Sequence, residues 1–208
     1  MPTISGQLQT AVEDPTTCAE LVDFTCGDAR RHAEDVVEMI IGQLSKGERP
    51  GATVLVTREV ATGALVGISA IEWKPLTIQH PSFPTDAYQD AVYLAVLTLS
   101  ESYRGRCTSL QGQPISEVLA NEAYCEIASV RNDGGMPPIQ ALVDPDNAPS
   151  LAMTKGQGFE IEVEWPNELL LVRPRGLGFR SRVPRPLAYS PCSPDRPSGP
   201  ETQTSSAS

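Results

Sequence analysis

Histidine is nearly absent from this chain of 208 residues: His32 and His80 are the only two, and they lie too far apart to suggest a histidine-built metal site. Cysteine is present but unorganised. Cys18, Cys26, Cys107, Cys125 and Cys192 are odd in number and scattered, with no C-x-x-C pair. That pattern argues against a disulfide framework or a zinc site and for reduced thiols, so no metal is expected. Aromatic residues supply only 5% of the chain, but the 40% apolar content is ordinary for a soluble protein. No apolar run approaches the ~20 residues needed to cross a bilayer, so no membrane partner is expected. The opening "MPTISGQLQT" lacks the basic and then apolar regions of a secretory signal, and the expected location is cytoplasmic.

Negative charge is what the chain has in excess. Its formal net charge is −10, and the distribution is uneven. From Arg173 onward six arginines stand against Asp195 and Glu201, so that stretch carries +4 and the remainder −14. A body this acidic excludes a general nucleic-acid binder, which needs a dense basic surface for phosphates. Its field favours a cationic partner such as an amine.

The periodicity predicts a single ordered domain over residues 1–182 and a tail over 183–208. The tail holds six Pro and six Ser among 26 residues without periodicity, a composition expected to be disordered. Within the domain, "ELVDF" (Glu20–Phe24) reads as a short strand and "TCGD" as a helix-capping signal. Val36, Val37, Ile40, Ile41 and Leu44 then follow helical spacing. "ATVLVTREVATGALVGISAIEW" reads as a hairpin turning at Ala61–Gly63, followed by a Pro-broken loop. "AVYLAVLTLS" (Ala91–Ser100) is apolar on both alternating faces, as in a fully buried strand. A Gly- and Ser-rich loop leads to Pro114, which suits a first helical turn. The stripe Ile115, Val118, Leu119, Ala123 and Ile127 follows. "IQALV" is another short buried strand, and "FEIEVEW" and "NELLLVRPR" close the pattern. The fold class is α/β, with a mixed, mostly antiparallel central sheet flanked by helices.

The stretch "DPDNAPSLAMTKGQGFEIEVEW" is the most specific. Asn147 stands where it can cap a helix, and Gly158 and Phe159 end that helix before a strand. Asn147, Ser150, Gly158 and Phe159 match N-x-x-[AS]-x(7)-G-F, and with the order of elements around it the chain resembles the GNAT acyl-CoA N-acyltransferases over roughly Leu8 to Arg175. The family carries [QR]-x-x-G-x-[GA] after its buried fourth strand. Arg104, Gly105 and Arg106 fit the approach to that motif. With no gap the following glycines fall on Cys107 and Ser109; with a longer loop, Gly112 or Ser116 at the helix start provides the close approach. The resemblance implies that this loop and helix start hold the pyrophosphate of CoA. It also implies that the backbone near Leu97 and Leu99 holds the pantetheine arm and acyl carbonyl, and that Asn147 heads the helix forming the other wall of the slot.

Acetyl-CoA is therefore the expected co-substrate, with a primary, cationic amine as acceptor and direct attack in a ternary complex as the expected mechanism. Such a transfer needs the amine deprotonated, the thioester carbonyl polarised and the departing thiolate protonated. Thr154 stands where the family often uses a Tyr for the last step. Glu72, at a strand end, is the first candidate base, with Asp90, Tyr93 and His80 behind it. A non-catalytic acyl-CoA-binding or regulatory module on the same fold is the alternative, and a homodimer is left open.

Overall fold

The computed structural model describes residues 3–4, 6–25, 31–108, 112–130 and 136–174. Of the expected capping signal Thr25–Asp28, all but Thr25 lies outside them, as does the tail boundary at residue 182. Nine strands and three α-helices are described: β1 (Thr3–Ile4), β2 (Leu8–Glu13), α1 (Arg31–Ser45), β3 (Ala52–Glu59), β4 (Leu65–Glu72), β5 (Val92–Leu99), β6 (Cys107–Thr108), α2 (Ile115–Val130), β7 (Ile139–Val143), α3 (Ala148–Gly156), β8 (Glu160–Glu164) and β9 (Leu169–Arg173). Seven strands form one sheet in the order β2-β3-β4-β5-β7-β9-β8, in which only β5 and β7 run parallel. Among the described residues no helix is long and apolar enough to cross a membrane.

Both faces of the sheet centre are covered, which is why β3, β4 and β5 read as continuous apolar runs. On one face Ile40, Ile41 and Leu44 of α1 pack over Val54, Val56, Ile68, Ala70 and Val96. On the other, Ala120, Ala123, Tyr124 and Ile127 of α2 pack over Leu55, Ile71, Val92, Leu94 and Ile139. Arg173 ties the second layer together. Its Nε donates to the Gln157 carbonyl at 3.0 Å, and its guanidinium lies 5.5 Å from the centre of the Tyr124 ring. Burial works against the charge of this side chain and lowers its pKa.

One expectation is corrected. Glu20–Phe24 is not a strand: Ala19–Leu21 form a 3-10 turn, and the first strand of the main sheet is β2. The reason is visible in the spacing. Leu21 and Phe24, the buried residues of that stretch, stand three apart, the period of a helical turn rather than of a strand. Conversely β2 is an edge strand, and "LQTAVE" needs little apolar content because much of it faces solvent.

Close approach of α2 depends on Gly67. A Cβ there would lie 2.4 Å from Leu119 Cδ2 and 2.5 Å from the Thr98 carbonyl oxygen. The first neighbour is a movable side chain, but the second is backbone of the adjacent strand. Gly67→Ala is therefore expected to destabilise the protein by about 1–3 kcal/mol, the usual cost of overpacking, read as a lower urea midpoint. An unchanged midpoint would mean that α2 rides higher on the sheet than described.

Candidate functional site

The site begins where two parallel strands part. β5 and β7 pair at only two positions, Val92 with Ile139 and Tyr93 with Gln140. Beyond Tyr93 they diverge. The register of β5 against β4 shifts at the same place, since Ala70 stands opposite Val96 but Ile71 opposite Leu94. Ala95 is thus the extra residue of a β-bulge, a feature that bends a strand and twists it locally. The wedge between β5 and β7 opens toward their C-terminal ends, where β-sheet hydrogen bonding no longer connects them. Leu97 and Leu99 lie on this open part of β5, with half-buried side chains packed toward Leu119 and Ile115 of α2.

Two helices start at that open end. Asn147 caps α3 just beyond β7, and its side-chain oxygen accepts the Ser150 N–H at 3.2 Å. Gly158, at φ 87°, lets the chain turn out of α3 so that Phe159 enters the core under α2. On the β5 side, Glu101–Tyr103 make a 3-10 turn that leads into Arg104 and Gly105 and is anchored by Tyr103, whose hydroxyl donates to Glu59 Oε2 at 3.0 Å. The Arg106 guanidinium lies 5.6 Å from the centre of the Tyr103 ring. Arg104 is half-buried and Gly105 exposed in the same turn.

The chain does not pass directly from this turn into α2. It makes a small excursion, in which Thr108 N–H donates to Gln113 O at 2.9 Å and Gly112 N–H to Thr108 O at 3.0 Å. Gly112 is an exposed residue of that excursion, with φ 61°. The Ile115 N–H then returns to Arg106 O at 3.1 Å. The N–H groups of Glu117 and Val118 donate to Pro114 O, at 3.0 and 3.2 Å. Two of the N–H groups that a helix start normally leaves open, those of Ile115 and Glu117, are thus occupied, and the Val118 bond is the first of the helix itself. Ser116, the remaining first-turn residue, is half-buried, and its N–H meets no backbone acceptor among the described residues. The structure thus places α2 at Ile115, after a longer loop, and brings Arg104, Arg106, Ser116 and Asn147 to one end of the sheet.

The vertex of the wedge carries a different chemistry. Glu72, Tyr93 and Gln140 stand side by side across β4, β5 and β7. Arg49 Nη1 pairs with Glu72 Oε1, and Arg49 Nε donates to Gln43 Oε1 at 2.7 Å. Lys74 Nζ lies 3.8 Å from Glu72 Oε2. Glu72 is therefore a buried carboxylate whose charge is already met by a guanidinium, a partner the sequence reading missed. The Tyr93 hydroxyl is pushed up to about 12, chiefly by burial and secondarily by Glu72 and Glu168, with Arg49 acting against them. Thr154, in the last turn of α3, is buried, and its hydroxyl engages the Ser150 and Leu151 carbonyls at 2.9 and 3.2 Å. It bonds back into its own helix. His80 lies elsewhere, edge-on to Trp165 at 6.4 Å between ring centres. Asp90 stands two residues before the first residue of β5.

A separate cluster has the composition of a metal site, since Glu13, Cys18 and Glu20 bring their ligand atoms within 4.8 Å of one another. Arg58 already fills it. Its guanidinium donates to both oxygens of each carboxylate, including Glu13 Oε2 at 3.1 Å and Glu20 Oε2 at 2.6 Å. Burial and the two carboxylates push the Cys18 thiol up to about 11, so it stays protonated near neutral pH.

No family model matches the chain, and no curated protein matches it in sequence. Solved structures do match in fold. A protein of Acinetobacter baylyi ADP1 assigned as an acetyltransferase is 13% identical at a TM-score of 0.54, over 81% of this chain and 93% of that one. A protein of Desulfovibrio desulfuricans assigned to the GNAT acetyltransferases is 13% identical at 0.53, over 80% and 96%. The PaiA N-acetyltransferase of Thermoplasma acidophilum, solved with coenzyme A, is 12% identical at 0.52, over 81% and 99%. At these identities the likeness is one of fold.

The Arg58 cluster sets an acid limit on stability. Its hydrogen bonds hold Glu13 and Glu20 below the ordinary value of 4.5. A carboxylate depressed on folding contributes stability that is complete above its unfolded pKa and lost as the pH falls through the folded one. Unfolding free energy should thus decline between about pH 5 and pH 3, and Arg58→Met should flatten that decline. Both carboxylates are partly exposed, so the difference is expected to be small. Equal slopes in urea titrations of the two proteins would show that the cluster is not formed in solution.

Proposed function

We propose, on the premise that the chain has the GNAT acetyltransferase fold, that it binds acetyl-CoA in the wedge between β5 and β7 and transfers the acetyl group to a primary amine by direct attack in a ternary complex. The observation that carries this reading is the wedge itself. It exposes strand backbone to a ligand and ends between two helix starts, where partial positive charge collects. In this reading the backbone at Leu97 and Leu99 holds the pantetheine arm and polarises the thioester carbonyl. Arg104 and Arg106 supply the positive charge that a strongly acidic protein needs beside a pyrophosphate, and Gly105 lets its backbone come close. The Ser116 N–H is the helix donor left for a phosphate oxygen, Gly112 shapes the approach, and Asn147 fixes the opposite wall by capping α3.

The acceptor reaches the vertex from the side of Glu72 and Tyr93. Glu72 is proposed to draw in the cationic amine and to take its proton, directly or through water, while Arg49 holds the carboxylate in place. Thr154 is proposed as the residue beside the departing thiolate. Since its hydroxyl already bonds into α3, the proton for the thiolate comes from water. The acidic body favours cationic acceptors at long range.

A non-catalytic acyl-CoA-binding module is the second reading. It is favoured by one observation: the two named proton-transfer groups, Glu72 and Thr154, both have partners within the protein. Turnover of acetyl-CoA against a panel of primary amines separates the two, because a binder shows saturable CoA affinity and no amine-dependent release of thiol.

Calorimetric titration with CoA tests the phosphate loop. A charge-assisted contact to phosphate contributes about 1.5–3 kcal/mol, so Arg104→Ala should weaken CoA binding about tenfold or more. Unchanged affinity would remove the loop from the site. Steady-state rates with one accepted amine test the vertex. Thr154→Ala should leave turnover within about threefold, whereas Glu72→Gln should lower it about tenfold or more, with the larger effect at low pH where less amine is neutral. A silent Glu72→Gln beside a severe loss in Thr154→Ala would reverse both assignments.

A further inference from the structure

The two shortest strands lie outside the main sheet. β1 pairs in parallel with β6, Thr3 beside Cys107 and Ile4 beside Thr108. β6 belongs to the excursion that follows Arg104–Gly105–Arg106 and precedes α2. The backbone of Thr3 and Ile4 is therefore paired with the segment that joins the loop to the helix.

The same N-terminal stretch is fixed a few residues later. The Val60 N–H donates to the Gln7 carbonyl at 2.8 Å. Gly6 lies so close to Glu59 that a Cβ there would sit 2.3 Å from Glu59 Oε1. Glu59 also accepts the Tyr103 hydroxyl that anchors the loop. The stretch is thus held against the end of β3 at one side and against the excursion at the other, and Gly6 lies beside Glu59, the acceptor of the loop's anchor.

We propose that the N-terminal strand β1 is a strap that positions the Arg104–Arg106 turn and the start of α2 for the pyrophosphate of a CoA-type ligand. This rests on the reading that the loop holds CoA. The excursion lengthens the connection from β5 to α2, and a longer connection has more conformations to lose on binding. Pairing with β1 removes part of that freedom before the ligand arrives, which strengthens binding by preorganisation. The strap acts through main-chain hydrogen bonds, so its effect should depend on backbone rather than on the side chain of Ile4. It should also be confined to ligands that carry a pyrophosphate.

The experiment compares binding of CoA and of pantetheine, which lacks the pyrophosphate, to the full chain, to a chain lacking residues 1–4, and to Ile4→Pro and Ile4→Val. The full chain should bind CoA more tightly than pantetheine. Removal of residues 1–4 and Ile4→Pro should each weaken CoA about tenfold, a loss on the scale of one charge-assisted phosphate contact. Pantetheine affinity and the melting temperature should stay unchanged, and Ile4→Val should behave as the parent. Equal CoA affinity in the full and shortened chains overturns the strap while leaving the CoA site standing. Equal weakening of both ligands also overturns it, because the deletion then acts through the fold. A full chain that binds neither ligand overturns the proposed function, and the strap with it.

Discussion

Hydrogen bonding between β5 and β7 stops after two residue pairs, and the candidate site follows from that interruption. A sheet interior rarely leaves backbone groups idle, because a buried N–H or C=O without a partner costs about as much as a lost hydrogen bond. The open edge must therefore meet solvent, side chains or a ligand. Several features keep it from closing. The bulge at Ala95 bends β5 away, and Gly67 allows α2 to sit low on β4 and β5. Arg173 fixes the far end of α3 against β9 and α2. The wedge is consequently a property of the packed fold and exists before any ligand enters it.

The charged groups around the wedge are mostly engaged with one another. Arg49 and Glu72 form a pair near the vertex, and Arg58 joins Glu13 and Glu20 beyond the other side of the sheet. A chain with so large an acidic excess has few cations to spare, and these two are committed to carboxylates: buried Glu72, half-buried Glu13 and exposed Glu20. That leaves Arg104 and Arg106 conspicuous as arginines near the open end. They are set in a turn whose anchor, Tyr103, is itself buried.

Much of this architecture was legible in the sequence where the residues themselves make the element. β3, β4 and β5 are apolar on both faces because both faces are covered, and Asn147 and Gly158 announce the ends of α3 through capping and a positive φ. Four things were not legible. β2 carries too few apolar residues to stand out, since an edge strand needs few. Leu21 and Phe24 were read as part of a strand when they share one side of a turn. The pairing of Arg49 with Glu72 links positions 23 residues apart, and only the register of β3 on β4 brings them together. The helix start at Ile115 was foreseen from Pro114, but the excursion before it depends on backbone bonds that no side-chain pattern encodes.

The other edge of the sheet is β8, whose sequence "EIEVE" sets Glu160, Glu162 and Glu164 along a strand with no neighbour beyond it among the described residues. Such a strand offers an unpaired row of backbone groups, and bare rows of this kind recruit further strands from other molecules. Here a second copy arriving edge to edge would bring its own glutamates against these. Glu162 is held toward the body by the Tyr88 hydroxyl at 2.7 Å, while Glu160 and Glu164 face solvent. Repulsion between like charges thus guards this edge of the sheet, so the acidity of β8 works against edge-to-edge growth through it.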